Sequence, residues 1–117
     1  MPVVDLESVN ELKLAEGIFA RIVTSDSMTI THVRLAANSS LPEHRHVHEQ
    51  VVNVIDGELE LIVEGVPHRL KRGKVFMLPS NIPHAARAIS DCYVIDVFHP
   101  VREDFRVASF PGYPGKM

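Results

Sequence analysis

Hydrophobic and polar residues alternate with a period of two along most of the chain from Gly17 onward. Residues two apart in an extended strand share a face, so this period predicts β-strands rather than helices. Short loops rich in Gly, Pro, Asn, Asp and Ser separate the alternating runs. The predicted strands cover residues 18–23, 28–36, 51–55, 58–63, 66–70, 75–78, 83–88 and 92–98. This number of short strands, without a long helix, predicts an all-β fold, either an antiparallel barrel or a two-sheet jelly roll.

The turn signals between these runs predict how successive strands connect. Asp56-Gly57 is a two-residue hairpin signal, because glycine tolerates a positive φ. Gly65 and Arg72-Gly73 mark further turns. Residues 38–42 read as a loop that leads into a histidine-rich stretch.

The two ends of the chain lack this clear alternation. At 117 residues the sequence predicts one domain, residues 1–117. We expect residues 1–16 to form an N-terminal arm or short helical turn and residues 17–100 to form the barrel. The tail, residues 101–117, is broken by Pro111 and Pro114, so we expect it to run irregularly over the surface.

Composition narrows the cellular context and the class of partner. The net charge is −3 with both signs interspersed, so there is no basic stripe and nucleic acid is not an expected partner. Cys92 is the only cysteine, which excludes an internal disulfide and favours a reducing compartment. No apolar run is long enough to cross a membrane, and the first residues do not resemble a signal peptide. We therefore expect a cytoplasmic protein without a membrane partner.

The stretch with the most distinctive chemistry is His44–Gln50. His44, His46, His48 and Gln50 stand two residues apart, so an extended backbone gathers imidazoles and an amide on one side. Neutral imidazole is the commonest metal ligand in proteins. A barrel lumen is a place where such side chains can converge on one ion, so the stretch predicts a metal site.

Two spaced motifs resemble those of the cupin family. The first is His44-x-His46-x3-Gln50-x6-Gly57, and the second is Gly73-x5-Pro79-x-Asn81-x2-His84. This sequence departs from the family pattern at three positions. Gln50 stands where many cupins have Glu, Asn81 replaces a turn glycine, and Ala88 replaces an Asn. Asn81 is a mild change, because Asn also tolerates the left-handed region.

The resemblance implies a cupin double-stranded β-helix, that is, a jelly-roll barrel, with one divalent metal ion. The implied ligands are His44, His46, Gln50 and His84, and the ion could be Ni, Zn, Mn or Fe. Gln50 is a neutral oxygen donor, so the ion keeps its full charge, which argues against iron oxygenase chemistry. His48 is expected on the wall of the site, and the sequence leaves open whether His48 or Glu49 joins the metal shell.

A narrower resemblance involves the segment from Asp96 to Phe105. It is similar to the end of the small cupins of pectin and alginate breakdown that linearise 4,5-unsaturated monouronates. By that resemblance Asp96, Phe98 and Arg102 line the pocket over the metal. Asp96 and Arg102 are then the expected catalytic residues, while Phe98, Arg102 and His48 are expected to bind substrate.

The residues themselves support a special role for Asp96. It lies within an apolar strand, where an unpaired charge is costly, so it is either paired or used in chemistry. A period of two places Asp96 and Phe98 on one face. The structural alternative pairs Asp96 with an arginine on a neighbouring strand, for which the candidates are Arg21, Arg34 and Arg87.

Together these features predict a metalloenzyme that opens an unsaturated uronate to its linear keto form. The expected partners are a small sugar acid and, by the resemblance, a second copy of the chain in a homodimer. Two alternatives stay open at this point. One is a cupin dioxygenase that uses Fe(II) and oxygen, and the other is a cupin that binds a metal or sugar acid without turnover.

Overall fold

The alternating runs form ten strands in the computed structural model, which describes residues 2–106. The strands are β1 Leu12–Ala15, β2 Ile18–Thr24, β3 Thr29–Leu35, β4 Ser40–His44, β5 Glu49–Asp56, β6 Glu58–Val63, β7 Val66–Lys71, β8 Val75–Leu78, β9 His84–Ala88 and β10 Cys92–His99. The described helices are two single 3-10 turns, Leu6–Ser8 and Glu103–Phe105. The all-β prediction is confirmed.

The strands are arranged in two antiparallel sheets that face each other. The large sheet has the order β1-β2-β3-β10-β5-β8, and the small sheet has the order β4-β9-β6-β7. One face of each strand is apolar and points between the sheets, where Ile18, Val52 and Leu61 are at most 3% exposed. This two-sheet arrangement is a jelly roll, as predicted.

The Asp56-Gly57 hairpin prediction is wrong. β5 pairs with β10 and β8 in the large sheet, whereas β6 pairs with β9 and β7 in the small sheet. Gly57 is instead the corner where the chain passes from one sheet to the other, with φ at +86°. A Cβ there would collide with the carbonyl oxygen of Asp91, so glycine is needed for close approach as well as for its backbone angle.

The predicted loop over residues 38–42 is shorter than expected. Ser40–His44 forms β4, one of the two edge strands of the small sheet, and pairs with β9. Pro42 is compatible with this position because an edge strand has a side without ladder hydrogen bonds. The pairing places His44 directly opposite His84. Asn81 has a φ of +64°, in the left-handed region, as expected.

The described parts of the two ends pack on the barrel. Residues 1–16 contain a 3-10 turn and β1, which pairs with β2. The chain is described as far as Arg106, so Pro111 and Pro114 and the predicted course of the tail lie outside the described residues. Within the described ranges, no helix is long and apolar enough to cross a membrane.

Candidate metal centre

Three histidines from the two predicted motifs meet at one end of the barrel. His44 ends β4, His84 begins β9, and His46 lies in the short connection between β4 and β5. Their candidate ligand atoms all lie within 4.8 Å of one another. The ring of His84 is 4.3 Å from that of His44 and 5.0 Å from that of His46, measured between centroids. This spacing lets one ion contact all three side chains.

The same hydrogen bond orients each imidazole. Nδ1 of His44 lies 2.7 Å from the carbonyl oxygen of Pro42, and Nδ1 of His84 lies 2.8 Å from that of Ile82. Nδ1 of His46 lies 3.0 Å from the carbonyl oxygen of His48. A carbonyl oxygen only accepts, so Nδ1 carries the proton in each ring and Nε2 keeps a lone pair for a cation.

The electrostatic environment keeps these rings neutral. Burial lowers the pKa of both His44 and His46 to about 4, and the pKa of His84 is lowered for the same main reason. The positive charge of Arg102 lowers all three pKa values further. At neutral pH the imidazoles are therefore unprotonated at Nε2, which is the form that binds a metal.

Gln50 supplies an oxygen next to the histidines. It lies on the inner face of β5, is 7% exposed, and its Oε1 is 3.1 Å from Nε2 of His46. With Nδ1 of His46 protonated, two acceptors face each other at this distance, an arrangement that a cation between them would relieve. In addition, Nε2 of His84 is buried with no hydrogen-bond partner in the described part of the chain. The donor set therefore fits a divalent metal ion.

The neighbouring Glu49 does not belong to this set. It is exposed and occupies the opposite face of β5 from Gln50. Joining the shell would require a one-residue slip of β5, which would turn its buried valines outward. The sequence left open whether Glu49 joins the metal shell, and the structure places Glu49 on the opposite face from Gln50.

Asp96 lies beside Gln50 on the inner face of β10. Its carboxyl accepts hydrogen bonds from the side chains of Gln50 and Thr31, while its Oδ1 is buried without a partner among the described residues. Burial raises its pKa to about 6, and the hydrogen bonds and the charge of Arg102 only partly oppose that rise. A carboxyl with this pKa can both accept and release a proton near neutral pH.

The structural alternative for Asp96, an arginine on a neighbouring strand, is wrong. Arg21 and Arg34 both pair with Glu11 on the outside of the large sheet. The third candidate, Arg87, pairs with Glu60 on the outside of the small sheet. The period of two explains this result, because each of these arginines occupies an outward position on its strand.

A cavity of about 50 Å³ connects Asp96 with His44 and His84. Its polar lining consists of His44, Gln50, His84 and Asp96, and the rest of the lining is apolar. This volume holds a few water molecules or a small group, whereas pockets for whole ligands are usually about 300–1,000 Å³. A larger molecule would therefore contact the histidines from the barrel end and extend only part of itself towards Asp96.

The guanidinium of Arg102 is buried against two aromatic rings and paired with an acid. Arg102 is 5% exposed, and its guanidinium lies 3.9 Å from the ring centre of Phe105 and 4.9 Å from that of Phe98. Its Nε and Nη2 donate to the two carboxylate oxygens of Asp104 at 3.2 Å and 2.6 Å. The side chain of Asp104 is 46% exposed, so the acid that pairs with the buried guanidinium is itself close to solvent.

Phe98 lies between the cluster formed by Arg102, Asp104 and Phe105 and the histidines. Its ring is 3% exposed and meets the ring of His46 edge-on at 5.6 Å between centroids. Asp104 and Phe105 were missed as parts of the site by reasoning from sequence. An acid two residues after an arginine is only a weak sequence signal for an ion pair between them. No sequence pattern predicts that Phe105 packs on the guanidinium.

His48 lies beside the metal cluster rather than within it. Its ring centre is 5.5 Å from that of His46, and the described group that can hold a metal comprises His44, His46 and His84. Burial lowers the pKa of His48, and Arg102 and Asp104 are close enough to influence it. The structure thus places His48 close to Arg102 and Asp104. The sequence predicted that His48 would lie on the wall of the site.

The protein is therefore a jelly-roll barrel that carries a candidate metal site, formed by a cluster of imidazoles, at one end. The chain belongs to the cupin family, whose domain matches residues 31–98.

Similarity to individual cupins extends over most of the chain. It is 33% identical over 96 residues to pectin degradation protein KdgF of Dickeya dadantii, which covers 80% of this chain and 87% of that protein. The structure of KdgF from Halomonas sp. superposes with a TM-score of 0.79 at 29% identity, covering 85% and 93% of the two chains. An RmlC-like cupin from Shewanella frigidimarina has the same TM-score at 27% identity, covering 85% and 90%.

Proposed function

We propose that this cupin is a metalloenzyme of pectin or alginate breakdown that converts 4,5-unsaturated monouronates to their linear keto form. The observation that carries the proposal is the cavity that joins Asp96, a carboxyl with a pKa of about 6, to His44 and His84, two of the three convergent imidazoles. The similarity over most of the chain to KdgF proteins, one of which is named a pectin degradation protein, supports a role in pectin breakdown.

One divalent ion would be held by Nε2 of His44, His46 and His84 and by Oε1 of Gln50. When bound, it supplies Lewis-acid polarisation of substrate oxygens. Histidine and amide ligands suit Ni, Zn, Mn or Fe, and the neutral Gln50 leaves the positive charge of the site undiminished. Hydrogen bonds to backbone carbonyls orient the three imidazole rings before an ion binds, so the ion would have to order few side chains.

The proposed reaction is an isomerisation that requires only proton movements. The ring opens when the bond between C1 and the ring oxygen breaks, and the proton of the C1 hydroxyl passes to the ring oxygen, which gives an aldehyde at C1 and an enol at C5. The enol becomes a ketone when C4 gains a proton and the enol hydroxyl releases one. Asp96 moves this proton as general acid and base. No electrons are exchanged with a co-substrate, which distinguishes this proposal from the dioxygenase alternative.

The aromatic and basic residues beside the cluster would orient the sugar acid. Arg102 presents a fork of donors that matches a carboxylate, and the substrate carboxylate would take the place of Asp104 on that fork. The exposure of Asp104 gives its side chain room to move aside. Phe98 would pack against the sugar, and His48 would contact its rim beside Arg102.

The direct test follows the ring alkene of a 4,5-unsaturated galacturonate by its absorbance. Protein loaded separately with Ni, Zn, Mn or Fe is expected to remove the absorbance faster than the spontaneous rate, and metal-free protein is not. The rate is expected to be the same with and without oxygen. Loss of rate under anaerobic conditions would favour the dioxygenase, and no acceleration with any of the four metals would refute the proposed reaction and leave a binding cupin.

Arg102→Lys tests the proposed carboxylate anchor. We expect KM for the unsaturated uronate to rise roughly 10- to 100-fold, because lysine cannot form the two-pronged contact. The methyl ester of the same sugar lacks the negative charge, so its KM is expected to change much less. Arg106→Lys is the matched control, since Arg106 pairs with Glu103 at the surface. An equal change for acid and ester would show that Arg102 acts only through packing.

A further inference from the structure

The cavity behind the histidines is polar at one end only. Its polar lining lies at the barrel end where the histidines meet, whereas only apolar side chains line the rest. A uronate carries a polar group on most of its carbon atoms, so the proposed substrate offers nothing that matches this apolar part. Pockets that combine an apolar lining with a few well-placed polar groups typically bind small molecules in a fixed orientation. The apolar part therefore indicates a second kind of ligand.

The strand register shows how far the apolar part extends along the large sheet. Val94 lies two residues from Asp96 on the same face of β10 and pairs with Val33 of β3. Two residues of a strand span about 6.6–6.8 Å, so these valines lie one such step from the carboxyl into the barrel. Leu35 lies a further step along β3. Because Val94, Val33 and Leu35 all line the cavity, its apolar part is elongated along the strands.

An alanine on the small sheet leaves the space for this part of the cavity. Ala86 of β9 pairs with Leu41 of β4 on one side and with Leu61 of β6 on the other. All three side chains line the cavity. The side chain of alanine is a single methyl group, so a gap remains between the two leucines. Leu41 is half-buried on an edge strand, so this side of the cavity lies close to solvent.

The polar end offers hydrogen-bond acceptors that need a donor. Oδ1 of Asp96 and Nε2 of His84 are both buried without a hydrogen-bond partner within residues 2–106. The proton of His84 is on Nδ1, so its Nε2 only accepts, as does an ionised carboxylate. An ion on Nε2 of His84 would still leave Oδ1 of Asp96 without a donor. Because a buried acceptor without a partner is costly, this end favours a ligand with a hydroxyl group.

We propose that the cavity binds a short unbranched primary alcohol, with its hydroxyl at Asp96 and its alkyl chain among the valines and leucines. The hydroxyl donates to Oδ1 of Asp96, and its oxygen keeps a lone pair that faces the histidines. The chain fills space that water occupies poorly, because small apolar cavities stay dry and take apolar guests. A cavity of about 50 Å³ holds roughly three to five non-hydrogen atoms, at about 10–15 Å³ for each. Ethanol, 1-propanol and 1-butanol have this size.

The alcohol would occupy the same polar end as the proposed uronate. It would therefore compete with that substrate and raise its KM, and this consequence alone rests on the proposed function. Binding of the alcohol itself needs no uronate and no turnover. A direct binding measurement consequently tests the cavity separately from the proposed reaction.

Nuclear magnetic resonance of the zinc-loaded protein, titrated with alcohols of increasing length, tests this proposal. Methyl signals of Val33, Val94 and Leu61 are expected to shift saturably, and the carboxyl carbon signal of Asp96 is expected to shift with the same midpoint. The dissociation constant is expected to fall about fourfold for each methylene from methanol to 1-propanol. 1-Hexanol is expected to bind more weakly than 1-butanol, because it overfills the cavity. Metal-free protein is expected to show the same change per methylene, since the ion is not part of the apolar lining.

Ala86→Val fills the gap between Leu41 and Leu61, so it is expected to weaken binding of 1-propanol about tenfold or more. Valine suits a strand, and the unfolding temperature is expected to stay at or above the native value. Ala85→Val is the matched control, because Ala85 lies on the outer face of the same strand, opposite Ile62. It is expected to bind as the native protein does.

The series of alcohols on the native protein decides the proposal even if Ala86→Val does not fold. A dissociation constant that does not change with chain length would overturn it. Methyl shifts without a shift at Asp96 would also overturn it, because the hydroxyl would then lie elsewhere. The same conclusion would follow if the two alanine variants changed binding equally.

Discussion

His84→Ala is expected to bind a divalent ion at least about a hundredfold more weakly than the native protein. His84 contributes a buried Nε2 with no other hydrogen-bond partner in the described chain, and removal even of an indirect supporting partner weakens metal sites by about 10- to 100-fold. Metal content after dialysis, measured by mass spectrometry of the elements, checks this result. Activity on the unsaturated uronate is expected to fall with metal content.

Thermal unfolding gives an independent measurement for the same variant. An ion at 100 times its dissociation constant stabilises the native state by about 2.7 kcal/mol, so added metal is expected to raise the unfolding temperature of the native protein. The rise should disappear in His84→Ala. His68→Ala is the control, because His68 packs on Phe76 away from the cluster. A stoichiometric ion retained by His84→Ala would contradict the proposed ligand set.

Local spacing predicts that His44 and His46 lie close together, because they stand only two residues apart in the chain. His84 was expected at the site only through the resemblance to the cupin motifs. Its meeting with His44 depends on the pairing of β4 with β9, which local spacing does not encode. The choice between Gln50 and Glu49 is local, since the alternation of β5 allows only one of them to face the barrel.

The partition of strands between the sheets could not be predicted in this way. Asp56-Gly57 satisfies the local requirements of a hairpin, and its glycine does adopt a positive φ. Which strand β6 joins depends on long-range pairing with β9, which a turn signal does not encode. Similarly, the strand Ser40–His44 forms from a loop-like sequence because β9 offers it a partner.

Tertiary packing also determined what surrounds Arg102. A run of three charged residues, Arg-Glu-Asp, is typical of a solvent-exposed loop. The structure instead buries the guanidinium of Arg102 against Phe98 and Phe105 and pairs it with Asp104. In the proposed role of Arg102 as carboxylate anchor, the substrate carboxylate would have to replace that of Asp104. Substrate binding there would gain less than binding to an unpaired arginine, since the pair with Asp104 must first break.

Asp96→Asn is expected to lower kcat by about 10²- to 10⁴-fold while the metal content stays at the native level. The lower kcat follows from loss of the group that moves the proton, and this range is typical of general acid–base catalysis. The metal should stay because an asparagine oxygen can still accept the hydrogen bond from Gln50 that orients the amide towards His46. Initial rates and metal analysis on the same preparation separate the two effects.

Asp91→Asn is the matched control for this change. Asp91 accepts a hydrogen bond from the backbone of Ala37 at the surface, and asparagine can keep that bond, so a native rate is expected. A native rate in Asp96→Asn would remove Asp96 from the proton transfer and leave the metal site as proposed. Loss of metal in Asp96→Asn would instead show that its carboxylate acts by positioning Gln50. Because Asp96, His44 and His84 line one small cavity, only a variant that preserves the metal can distinguish chemistry at Asp96 from support of the ion.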